Sequence, residues 1–131
     1  MFKIKSGFAS FSSNDIAKAK QFYTETLGLE ASVDDNMGSL NITLGNGMKI
    51  FIYPKDNHQP ATYTVLNFFV ENIEESVDEL VSRGITFEKY DGFDQNDKGI
   101  AKSPDPSKGP SIAWFKDPAG NILSLIEGEG M

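Results

Sequence analysis

Two stretches of the chain share one alternation of apolar and polar residues and then break into the same longer period. Phe11-Ser12-Ser13-Asn14-Asp15-Ile16 corresponds to Phe68-Phe69-Val70-Glu71-Asn72-Ile73 at a constant offset of 57. In each, a short strand pattern runs into Asp15 or Asn72, whose side chain can accept from the open N–H groups of a helix's first turn. Ile16, Ala19, Phe22, Tyr23 and Leu27 follow in the first copy, and Ile73, Val77, Leu80 and Val81 in the second. Both sets fall on one helix face at a 3.6-residue period. Gly28 and Gly84 end the helices, each placed to take the left-handed conformation just beyond the last turn. Similarity at this spacing implies an internal duplication.

After each helix the pattern returns to strands. The first copy predicts them at about 29–33, 39–44 and 48–53, with Gly45-Asn46-Gly47 as a hairpin turn. The second predicts them at about 85–90, 111–116 and 121–126, with Asp117-Pro118-Ala119-Gly120 as a turn. Each module therefore reads βαβββ, and the fold class expected is α+β. The modules span about 1–55 and 62–131 of a single domain, joined by a link from Pro54 to Pro60. Residues 91–110 read as a long polar loop with three prolines, long enough to act as a lid.

Strand parity separates two faces. One carries Ala9, Phe11, Leu40, Ile42, Leu44, Ile50, Ile52, Leu66, Phe68, Val70, Leu123 and Leu125, all apolar, as a face covered by amphipathic helices requires. The other carries Phe8, Ser10, Ser12, Asn41, Thr43, Lys49, Phe51, Tyr53, Val65, Asn67, Phe69, Ile122, Ser124 and Ile126. Aromatic walls with a few placed polar groups are the composition of a small-molecule cleft. Trp114 has no clear parity.

Composition narrows the function classes. The chain has 131 residues, 12 basic against 19 acidic, a net charge of −7, and no cysteine. Lys and Arg are scattered, which argues against nucleic acid and anionic membrane as partners. No apolar run approaches the roughly 18 residues of a membrane span, and the polar N-terminal segment does not read as a secretory signal. Disulfides and thiol chemistry are excluded, and the expected location is cytoplasmic.

Asn14-Asp15-Ile16 leading to Phe22-Tyr23 and Leu27-Gly28-Leu29, followed near the end by Phe115-Lys116-Asp117-Pro118-Ala119-Gly120-Asn121, resembles the vicinal oxygen chelate superfamily. That superfamily includes glyoxalase I, bleomycin-resistance proteins, fosfomycin-modifying enzymes and extradiol dioxygenases. The chain looks most like small bacterial members carrying Pro-Ala-Thr-Tyr-Thr-Val-Leu-Asn-Phe and Gly-Pro-Ser-Ile-Ala-Trp-Phe. The resemblance implies a curved mixed sheet from each module around a concave cup, with helices outside, and a homodimer.

It also implies where a metal would be held. In metal-dependent relatives four side chains, usually His, Gln and Glu, serve as ligands. Carried across by motif, those positions are Phe8, Phe51, Val65 and Ser124. Phenylalanine and valine have no lone pair, and one serine is a poor ligand for a divalent transition metal. The only histidine, His58, lies in the link and reads as a surface or loop-tethering residue. Asp94-Gln95-Asn96-Asp97-Lys98-Gly99 faintly echoes a calcium loop but lacks the closing Glu. The serines of the mixed face have no histidine on that face to activate them, and metal-free acid–base chemistry would fall to Lys49, Tyr53, Asp91 or Asp94.

These residues predict a metal-independent binding protein without cofactor, holding a small organic molecule. Phe8, Phe51, Tyr53, Val65 and Trp114 would supply apolar and stacking surface, and Ser10, Asn67 and Ser124 hydrogen bonds. Two other readings stay open: a glyoxalase-like lyase, isomerase or dioxygenase with a non-standard metal site, and a dimeric interaction module with a filled cup.

Overall fold

The computed structural model describes residues 2–105 and 109–130, and the chain divides into two compact units, 1–59 and 60–131. Pro106, inside the predicted 91–110 loop, lies outside the described residues. The first unit contains β1 (Ala9–Ser13), α1 (Ile16–Gln21), β2 (Glu30–Val33), β3 (Leu40–Thr43) and β4 (Lys49–Pro54). Its sheet has the order β1-β4-β3-β2, with β1 parallel to β4 and the other pairs antiparallel. The second unit contains β5 (Thr64–Val70), α2 (Ile73–Ser82), β6 (Ile112–Lys116) and β7 (Ile122–Glu127) in the order β5-β7-β6, with β5 parallel to β7. Two antiparallel loop bridges, Glu88 to Trp114 and Ala101 to Ile112, extend that sheet beyond β6.

Each helix starts where the Asx residue accepts from the first turn. Asp15 Oδ1 takes the Lys18 N–H at 3.1 Å, and Asn72 Oδ1 takes the Glu75 N–H at 3.1 Å. Glu127 on β7 also accepts from the Ile73 N–H at 3.0 Å, tying the start of α2 to its own sheet. Gly84 closes α2 at φ +96, and the following Ile85 N–H donates to Leu80 O. The first helix departs from its uniform 3.6 pattern. From Phe22 to Thr26 it widens into a π-helical turn, with Leu27 N–H donating five residues back to Phe22 O. The wide turn rotates Tyr23 into full burial, its ring edge-on to Phe22 at 5.1 Å.

The alternation sorts the two faces as the strands require. Leu40, Ile42, Ile50 and Ile52 are buried in the first unit, where α1 packs on β2, β3 and β4. Leu66, Phe115, Leu123 and Leu125 are buried in the second with Ile73, Val77 and Leu80 from α2. The predicted strand at 85–90 is a correction: it forms only the single bridge at Glu88. A side chain replaces the missing strand neighbour. Gln95 Oε1 accepts from the Tyr90 N–H at 2.8 Å, while its Nε2 donates to Glu88 O and Gly99 O at 3.0 and 2.7 Å. Backbone groups satisfied by an amide need no ladder partner.

Candidate functional site

Each unit presents its own row of paired residues, because side chains paired across strands share a face. In the first unit Ser10, Phe51, Asn41 and Ser32 form one row across β1-β4-β3-β2. In the second, Asn67, Ser124 and Trp114 form the corresponding row across β5-β7-β6, continued by Glu88 through its bridge. Ser10 and Asn67 are repeat equivalents at the offset of 57. The register thus resolves the parity of Trp114: it stands on the mixed face, beside Ser124.

The rows differ in depth. Ser124 has no exposed surface, and its hydroxyl donates to Asn67 Oδ1 at 2.5 Å. Trp114 is 9% exposed, with Tyr90 edge-on at 5.7 Å and Phe93 tilted at 4.9 Å. Glu88 and Lys116 approach to 3.4 Å. Burial, then the negative charge of Glu88, raises the Tyr90 pKa above its ordinary value of 10.0, with Lys116 acting the other way. The phenol is therefore a hydrogen-bond donor at neutral pH. In the first unit Phe8 precedes β1, strongly exposed, and stacks on Phe51 with centroids 4.5 Å apart. Ser10 and Tyr53 are exposed, and Phe51 is half-buried. Val65 falls where the β5–β7 register slips between Thr64 and Leu66, so it is the extra residue of a bulge.

One sequence inference is overturned. A serine of the mixed face does meet the histidine: Ser12 Oγ lies 2.6 Å from His58 Nδ1. Ser12 is buried and His58 half-buried, so the contact fastens the inter-module link to β1. Lys49 Nζ donates to Thr43 Oγ1 at 3.5 Å, and Asp91 and Asp94 are exposed. The calcium-like segment has a local explanation in Asn96, whose Oδ1 accepts the N–H groups of Lys98 and Ile100 at 3.0 Å each. A cleft of about 370 Å³ also opens in the second unit, lined by Val77, Val81, Ile85, Phe87 and Lys98. It lies around α2, with Lys98 already paired to Asp78 at 2.9 Å. Sequence reasoning missed Tyr90 and Phe93; two aromatics three residues apart, where a predicted strand meets a polar loop, are the signal that could have flagged them.

The profile of the glyoxalase/bleomycin resistance protein/dioxygenase superfamily matches residues 7–125. The chain belongs to this superfamily. No curated protein matches it in sequence. Among solved structures it is similar to a member of the superfamily from Sphaerobacter thermophilus, at 27% identity and TM-score 0.69, covering 94% of this chain and 98% of that one. It shares its fold with the fosfomycin resistance protein FosX from Listeria monocytogenes, at 17% identity and TM-score 0.67, covering 98% and 96%. The same holds for TnmS3, an antibiotic binding protein from Streptomyces sp. CB03234, at 21% identity and TM-score 0.67, covering 98% and 100%.

The four positions to which the resemblance carries metal ligands, Phe8, Phe51, Val65 and Ser124, do not form a donor set among the described residues. Phe8, Phe51 and Val65 offer carbon only, and the Ser124 hydroxyl is buried and engaged with Asn67. Among the described residues no three His, Asp or Glu side chains gather as a metal would need. No helix among the described residues is long and apolar enough to cross a membrane.

Proposed function

We propose that this superfamily member is a metal-independent binding protein that takes a small organic molecule on the mixed sheet faces. The observation that carries the reading is the Asn67–Ser124–Trp114 row, where a buried serine hydroxyl and an exposed amide stand beside the chain's only tryptophan. A few placed polar groups among aromatic walls give orientation and contact area together. Ser10, Phe51, Phe8 and Tyr53 supply the corresponding surface of the first module, and Val65 adds to that of the second. The antibiotic-binding and fosfomycin-resistance roles stated for two structural neighbours support a small-molecule ligand. The resemblance further supports a homodimer, and the cysteine-free composition fits a cytoplasmic location.

A thermal-shift screen of metabolites and antibiotics tests the reading. A ligand present at 100 times its Kd adds about 2.7 kcal/mol of stability. The shift is expected to survive prior treatment with a chelator. A flat response across a broad library would overturn the binding reading, and a stoichiometric transition metal whose removal abolishes the shift would overturn metal independence.

A further inference from the structure

Trp114 is held between a fixed neighbour and a loosely held one. Tyr90 is fixed: its N–H donates to the Gln95 side chain, which in turn holds Glu88 O and Gly99 O. Phe93 lies in the short exposed stretch between Tyr90 and Gln95, its own N–H reaching Tyr90 O only at 3.4 Å. The Phe93 ring covers Trp114 yet remains 56% exposed, whereas Trp114 is 9% exposed. A ring that shields its neighbour while gaining little burial itself is readily exchanged for another ring.

The second observation is chemical. The Tyr90 hydroxyl is buried and, among the described residues, has no hydrogen-bond partner. A buried donor left unpaired is costly, and native proteins rarely keep one without a reason. Burial and the Glu88 carboxylate keep that hydroxyl protonated, so what it lacks is an acceptor.

We propose that Tyr90 and Phe93 complete the ligand site of the second module, for a planar aromatic compound bearing an acceptor oxygen. Its ring replaces Phe93 against Trp114, and its oxygen receives the Tyr90 O–H. This rests on the reading that the mixed face binds a small molecule, and it adds the ligand's chemical class and a residue that selects it.

Anthraquinone-2-sulfonate and anthracene-2-sulfonate test the inference, since both are planar and singly charged and differ in the ring carbonyls. Binding is read from the fluorescence of the single tryptophan. The quinone is expected to bind about three- to tenfold tighter, the range one net hydrogen bond supplies. Tyr90→Phe, checked for native circular dichroism, should abolish that preference without abolishing binding. Phe93→Ala should increase acrylamide quenching of Trp114 and tighten both compounds. Equal binding of the two compounds, a preference that survives Tyr90→Phe, or unchanged acrylamide quenching in Phe93→Ala would overturn the proposal. If neither compound binds while the thermal-shift library yields a non-aromatic ligand, this inference fails and the binding reading stands; a flat library removes both.

Discussion

Asp117 shows how much a single carboxylate organises. It is 5% exposed, and its Oδ1 accepts the N–H groups of Ala119 and Asn121 at 2.9 Å each, while Oδ2 takes the Asn121 side-chain amide at 2.9 Å. Asp117 N–H returns a bond to Asn121 O, closing the turn that joins β6 to β7. The Asp-Pro-x-Gly-Asn motif that carries the family resemblance therefore builds the turn, and that turn sets the register of Trp114 against Ser124. Gly120 serves the same turn at φ +84, where a Cβ would meet Pro60 Cγ at 3.2 Å. Asp117→Ala removes the acceptor that three donors share, two of them buried, and should destabilise the protein by about 2–4 kcal/mol, measured by urea denaturation. A loss below about 1 kcal/mol would show that water replaces the carboxylate at no great cost.

At the scale of elements, the two helices begin by the same device and continue differently. Asp15 and Asn72 each accept at N3, so Asp15→Ala and Asn72→Ala should each cost about 1 kcal/mol. The residues cap different helices, and the double variant should lose the sum to within about 0.5 kcal/mol. Urea denaturation of the three variants checks this, and a large departure from additivity would mean that the two caps are coupled. The widened turn at Phe22–Thr26 was not legible from spacing, because Phe22, Tyr23 and Leu27 fit a regular helix equally well. What decides is where Tyr23 finds full burial. Likewise the alternation from Ile85 suggests a strand, but Gln95 satisfies its backbone in place of a ladder. A side-chain amide ten residues downstream of Ile85 leaves no signature in the strand pattern.

For the whole molecule, an acidic balance of −7 leaves few cations to pair, and two of them tether α2. Glu74 and Asp78, one helical turn apart, meet Lys102 and Lys98. The hydrogen bond from Lys102, then its charge, holds the Glu74 pKa below its ordinary 4.5. The hydrogen bond to Asp78 holds the Lys98 pKa above 10.5. The Glu74 contribution is fully present above pH 4.5 and is lost as pH falls through the lowered value. That of Lys98 is fully present below pH 10.5 and is lost as pH rises through the raised one. Both pairs are exposed, so the effect on stability is small and fades with salt. An NMR titration should place the Glu74 midpoint below 4.5, with Lys102→Ala returning it to the ordinary value; an unchanged midpoint would show that the pair does not form in solution.

The sequence by itself determined what is local or periodic. The duplication, both helix caps, the turn glycines, the helix-facing side of the sheets and the family all follow from patterns a few residues long, because capping and parity act between near neighbours. That Phe8, Phe51 and Val65 carry no side-chain lone pair also depends only on residue type. Tertiary structure decided what joins distant segments. It brought His58 to Ser12, placed Trp114 on the mixed face through its pairing with Ser124, and laid Tyr90 and Phe93 over the indole. Those contacts depend on register and loop closure, which no local spacing encodes.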